Sequence, residues 1–175
     1  MCSLAVLGLV SSVLTVPVLA QHPDSVPSES AIATASPPPP PNPLQDKYLK
    51  GFRTAARGVA QIKDGINRVV RTRSSHDTLR VHLAAKRLGG LCGAAHGFIT
   101  SGRGQMEPNA YEPPTRRPAQ DLVSQIDSLA TAAMTCQASA GKSPTAVTTE
   151  LLDRLRNYEA AVVAFRTAIG MLNRP

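Results

Sequence analysis

The sequence predicts an all-α fold, an up-and-down four-helix bundle with one interhelical disulfide, Cys92 to Cys136. Three observations carry this. From Leu44 onward, four segments of about 20 to 30 residues place apolar side chains in alternating steps of three and four, the period of a helix with one buried face. No segment shows a strand pattern of comparable quality. Two cysteines stand in the second and third of the four segments.

The first twenty residues, MCSLAVLGLVSSVLTVPVLA, carry no charged side chain and end in Val18-Leu19-Ala20, with small residues where a signal peptidase reads. They are expected to be a cleaved export signal, although no Lys or Arg precedes the apolar run. A retained N-terminal membrane anchor is the rival, weakened by Ser11, Ser12, Thr15 and Pro17. Residues 21–43 hold eight prolines, five of them consecutive from Pro37 to Pro41, which favours an extended spacer over helix or sheet. The bundle domain is then 44–175, placed in the periplasm or outside the cell.

Processing would remove Cys2 and leave Cys92 and Cys136 as an even pair in an oxidising compartment, which reads as one bridge. Two buried thiols packing as small hydrophobes are the alternative. A bridge requires alpha carbons within about 7 Å of each other.

In the first helix Tyr48, Phe52, Ala55, Val59, Ile62, Ile66 and Val69 form an apolar seam. Lys50, Arg53, Arg57, Arg68 and Arg71 stand on the opposite face, interrupted by Asp64. The second helix is expected over His76 to Thr100, capped by Ser74 or Ser75, with Val81, Ala84, Leu88, Leu91, Ala95 and Phe98 inward and Cys92 on the flank. Gly89, Gly90, Gly93 and Gly97 either admit a neighbouring helix at close range or break the segment near Gly89-Gly90. Residues 101–117 carry three prolines and no period, so a long connection is expected there, with Met106, Tyr111, Arg116 and Arg117 as its contact-capable groups. Pro118 suits the first turn of the third helix, whose inner face is Leu122, Ile126, Leu129, Ala133 and Cys136. Ser143-Pro144 starts the fourth, with Leu151, Leu155, Tyr158, Val162, Phe165, Ile169 and Leu172 as a coiled-coil-like seam.

The chain has a formal net charge of +7, unevenly spread. Residues 44–104 hold twelve basic and three acidic side chains, and residues 105–175 hold seven of each. Such asymmetry favours an acidic protein surface, anionic lipid or acidic glycan as partner. Nucleic acid is disfavoured by the export signal, the scarcity of stacking aromatics and the lack of a reading motif.

No catalytic or cofactor motif is present. His82 and His96 are fourteen residues apart on one helix, about 21 Å along its axis, too far to share a metal. Cys92, His96 and Cys136 with a fourth donor would be a zinc set only if the cysteines were unbonded. The run Leu91 to His96 lacks the paired cysteines of covalent haem attachment. No two carboxyls are spaced to hold different protonation states, and no phosphate-binding glycine loop occurs. No metal, cofactor or catalytic residue is therefore assigned.

The expected function is an exported, non-catalytic helical binding or structural protein with a basic face for acidic partners. An accessory subunit or secreted factor associating with anionic membrane or an envelope assembly is the alternative, and an unrecognised enzyme or metal-binding bundle a further one. Helix faces could also mediate homo- or hetero-oligomers.

Overall fold

The computed structural model describes residues 42–74 and 77–171. The leader expected over 1–20, and the spacer apart from its last two residues, lie outside the described residues. Four helices follow in order: α1 (Pro43–Arg73), α2 (Thr78–Arg103), α3 (Arg116–Ser139) and α4 (Pro144–Ala168), with one 3₁₀ turn at Pro108–Ala110. Sequential helices pack side by side, α1 on α2, α2 on α3 and α3 on α4. The protein is an all-α four-helix bundle with one interhelical disulfide.

Local chemistry sets each helix start. The Asn42 side chain accepts a 3.0 Å hydrogen bond from the Leu44 amide, and Pro43 occupies the first turn where no amide partner is needed. In α2 the cap is Asp77, whose Oδ1 accepts from the Arg80 amide at 3.0 Å. The expected cap at Ser74 or Ser75 is thus displaced, and α2 runs from Thr78 to Arg103 rather than from His76 to Thr100. Ser143 is the N-cap residue of α4, followed by Pro144.

The seams of α1 and α3 are buried as their period predicts. In α4, Leu151, Leu155, Tyr158 and Phe165 are buried while Val162 and Ile169 are half-buried; Leu172 lies outside the described residues. In α2 the buried face is turned from the expected one. Cys92 is fully buried and Ile99 replaces Phe98, which is 39% exposed. The reason is that α2 packs on α1 along one side and on α3 along the other. Its inner arc therefore widens to include Ala85, Cys92 and Ile99, and a single stripe does not describe it.

The closest helix contact is made by glycines other than those expected. Gly51, Gly58 and Gly65 recur every seven residues on α1 and meet Gly102, Ala95 and Leu88 of α2, which run back at the same interval. A Cβ at Gly51 would stand 2.5 Å from the Gly102 carbonyl oxygen, and one at Gly102 would stand 2.4 Å from the Gly51 carbonyl oxygen. A Cβ at Gly58 would stand 2.6 Å from the Ala95 carbonyl oxygen. At Gly65 the neighbour is instead the Leu88 side chain, and the nearest α2 backbone atom is 3.7 Å from the same position. The two helices are therefore in backbone contact at one end and are held apart by leucine at the other. Of the glycines inside α2, Gly89 makes ordinary contacts, Gly93 meets only the mobile end of Gln137, and Gly90 and Gly97 face open space; the helix runs unbroken through all four.

Cys92 and Cys136 are bonded, with alpha carbons 6.0 Å apart, joining α2 to α3. At the opposite side, long side chains join α4 to α1. Phe165 lies against Tyr48 at 5.2 Å and Phe52 at 6.2 Å between ring centroids. Lys63 pairs with Glu159, and Arg73 donates to the Thr145 hydroxyl.

Two stability measurements test this packing by chemical denaturation. Gly102→Ala should cost about 1–3 kcal/mol, because its methyl must displace the α1 backbone, whereas Gly97→Ala should gain about 1 kcal/mol from helix propensity alone. Reducing the disulfide frees the 45-residue loop from 92 to 136 and should lower the unfolding free energy by about 4 kcal/mol.

Candidate functional site

The sequence-predicted binding residues separate into two groups. Lys50, Arg53, Arg57, Arg68 and Arg71 are all exposed on the solvent side of α1, because the seam of that helix is committed to the core. From Lys50 to Arg71 they span 21 residues of one helix, about 30 Å at a rise of 1.5 Å each. Arg68 pairs with Asp64 at 2.8 Å. Among the described residues no acidic side chain pairs with Lys50, Arg53, Arg57 or Arg71.

The residues of the 101–117 connection behave differently. Met106 is 1% exposed and Tyr111 is 5% exposed, so both belong to the core and are not free to make contacts. Tyr111 closes the end of the bundle, edge-on to Tyr48 at 5.1 Å and to Phe165 at 5.4 Å. The connection is also shorter than expected, since α2 extends to Arg103 and α3 begins at Arg116. Its 3₁₀ turn and Tyr111 cover the core, which is what an end-spanning crossover does. Arg116 is half-buried and donates from Nε to the Tyr111 carbonyl at 2.9 Å, so it anchors the connection. Arg117 is exposed and unpaired among the described residues.

The sequence-predicted set omits a groove between the C-terminal part of α1 and the N-terminal part of α2. It encloses about 360 Å³ and is lined by Gly65, Arg68, Arg71 and Thr72 from α1 and Arg80, Leu83, Ala84, Arg87, Leu88 and Leu91 from α2. Its lining is almost wholly apolar, so the four arginines border it with their aliphatic stems, and all four residues are exposed. The groove lies beside Gly65, where the α1–α2 contact is made by the Leu88 and Leu91 side chains. Arg80 pairs with Asp77 at 3.1 Å, and Arg87, like Arg71, has no acidic partner among the described residues. Leu83 is 46% exposed, and Leu79, one turn before it and outside the lining, is 65% exposed. The signal for this groove was present in the alternation of Arg80, Leu83, Arg87 and Leu91, but recognising it required the α1–α2 register.

A second groove of about 500 Å³ between α1 and α4 is lined by Leu49, Phe52, Arg53, Phe165, Arg166, Ile169, Gly170 and Met171. Its lining ends at Met171, the last described residue. The basic row therefore runs between two grooves, Arg53 lining one and Arg68 with Arg71 the other.

Among the described residues no three His, Cys, Asp or Glu side chains converge as a metal site. The sulfurs of Cys92 and Cys136 are bonded to each other, which removes them from the zinc set considered with His96. No helix among the described residues is long and apolar enough to cross a membrane. The chain matches no protein-family model, no curated protein and no solved structure.

The tyrosines register burial directly. Burial, helped by the negative charge of Asp46, pushes the Tyr111 phenol from 10.0 up to about 12. Burial also pushes Tyr158 up to about 12, and raises Tyr48 as well. Tyr48 donates its hydroxyl to the Ala119 carbonyl at 2.8 Å, whereas the buried Tyr111 hydroxyl has no hydrogen-bond partner among the described residues. These are all three tyrosines of the chain. The unfolded chain loses phenolic protons from about pH 10 and the folded one only near 12 or above, so alkali favours unfolding and stability falls through that window. An ultraviolet phenolate titration should therefore show no step at 10 and should show all three ionising together with loss of helical circular dichroism. A separate step at 10 would place one of them in solvent.

Proposed function

We propose that this protein is an exported, non-catalytic helical binding protein that works in the periplasm or outside the cell and docks an acidic partner against its basic α1 side. The observation that carries the reading is the exposed row from Lys50 to Arg71, in which four of five cations have no acidic partner among the described residues. A surface whose charges are neutralised internally presents little field. A row with an excess of unpaired cations attracts anions and speeds their encounter. Export is supported by the apolar leader and by the bonded cysteine pair, since such bonds persist in oxidising compartments.

Site-specific photo-cross-linking tests this reading. A cross-linker in place of the exposed Ala60, within the basic row, should trap a partner in the envelope or extracellular fraction, and salt should weaken the adduct. The same group in place of the exposed Ser124 on α3 should trap none. Adducts from position 124 alone, or adducts at position 60 indifferent to salt, would defeat the reading.

A further inference from the structure

The groove beside the α1–α2 turn combines two features that have different ideal ligands. A guanidinium presents planar donors that match a phosphate and accepts nothing in return. An aliphatic trough takes hydrocarbon. Here Arg68, Arg71, Arg80 and Arg87 surround a floor that includes Leu83 and Leu91, and the outer flank continues with Leu79, exposed over 65% of its surface. A phosphate attached to hydrocarbon satisfies both parts at once. An acidic peptide would satisfy the arginines, but its backbone amides and carbonyls would be set over a lining in which Thr72 is the one hydrogen-bonding side chain besides them.

We propose that this groove is a docking site for the surface of an anionic phospholipid bilayer, the arginine rim holding headgroup phosphates while Leu79 and Leu83 enter the acyl boundary. The proposal rests on the acidic-partner reading above and narrows the partner to a membrane. Charge complementarity selects the lipid: the rim has four positive side chains, of which Arg71 and Arg87 carry no acidic partner among the described residues, and Asp64 and Asp77 answer only Arg68 and Arg80. The site is interfacial, and the helices remain outside the hydrocarbon.

Vesicle sedimentation of the full chain tests it, with phosphatidylglycerol and phosphatidylcholine vesicles compared at low and high salt. The readout is the difference between the two compositions. Wild type should prefer phosphatidylglycerol, and salt should erase the preference. Arg71→Gln with Arg87→Gln should weaken that preference about 20- to 30-fold and flatten its salt dependence. Leu83→Ser should weaken binding about tenfold and leave the salt dependence unchanged. Arg154→Gln with Arg166→Gln, the same charge change on α4 and outside both the groove and the basic row, should have at most a few-fold effect. All five positions are exposed, and circular dichroism confirms that each variant is folded.

Equal binding to both vesicles would overturn the proposal, as would equal losses in the two arginine pairs or displacement by soluble glycerol phosphate. If vesicles show no preference while salt-sensitive cross-links persist from position 60, the membrane is excluded and the acidic-partner reading stands. If both fail, both are wrong.

Discussion

The structure depends on the backbone contact between α1 and α2. Two helices normally keep 8–10 Å between their axes because side chains intervene. At Gly51 with Gly102, and at Gly58 with Ala95, almost nothing intervenes. This contact fixes the register of the hairpin, and the register decides which α2 residues face α1 and which face α3. Cys92 is thereby turned toward α3, where Cys136 stands with its alpha carbon 6.0 Å away. The disulfide then ties the third helix to a hairpin already positioned, and α4 is held from its other side by Phe165 against Tyr48 and Phe52. A chain with only three Phe, three Tyr and no Trp concentrates its rings at this end, where Tyr111 completes the cluster.

The charge pattern follows from the same packing. With one arc of α1 held by the core and an adjoining arc by glycine contact, the remaining solvent arc is the only place for its cations. Toward the turn the α1–α2 contact changes from a backbone carbonyl at Gly58 to the Leu88 side chain at Gly65. A groove opens there between two basic helix flanks. Packing and electrostatics are therefore one feature: the seam that closes the bundle at one end leaves an arginine-rimmed trough at the other.

How much of this was legible in the sequence differs by element. The seams of α1 and α3, and most of α4, were readable because each has one buried arc and a regular period. α2 was misread because it serves two neighbours. Its inner arc spans Ala84 to Ala85 and Cys92 to Ile99, and a single-stripe template pushes Phe98 inward and Cys92 to the flank. By density the glycines that stand out are Gly89, Gly90, Gly93 and Gly97. The informative signal was spacing, the seven-residue interval of Gly51, Gly58 and Gly65, repeated on the partner by Leu88, Ala95 and Gly102. Met106 and Tyr111 were taken for surface groups because prolines and glycines surround them, yet an aperiodic segment over the end of a bundle must supply its own apolar cover. The row from Lys50 to Arg71 was legible since a face opposite a seam is exposed by geometry. The groove was not, since half its rim belongs to another helix.

The arginine-rimmed trough is also the place where local choices depart from what stability alone would select. Leu79 and Leu83 remain exposed in a helix that has core positions available for leucine, and exposed aliphatic surface forgoes about 25 cal/mol per Å² of burial. Guanidinium groups gathered around the same trough repel one another, and surface ion pairs with Asp64 and Asp77 return about 1 kcal/mol or less each. Each cost is small on its own. They coincide at the trough, whereas elsewhere on the described surface Lys47 pairs with Glu107, Arg103 with Asp127 and Arg156 with Asp153. Both costs disappear when an anionic group carrying hydrocarbon occupies the trough, because the leucines are then covered and the guanidiniums neutralised. Local inconsistency of this kind is where binding sites are found in otherwise consistent sequences.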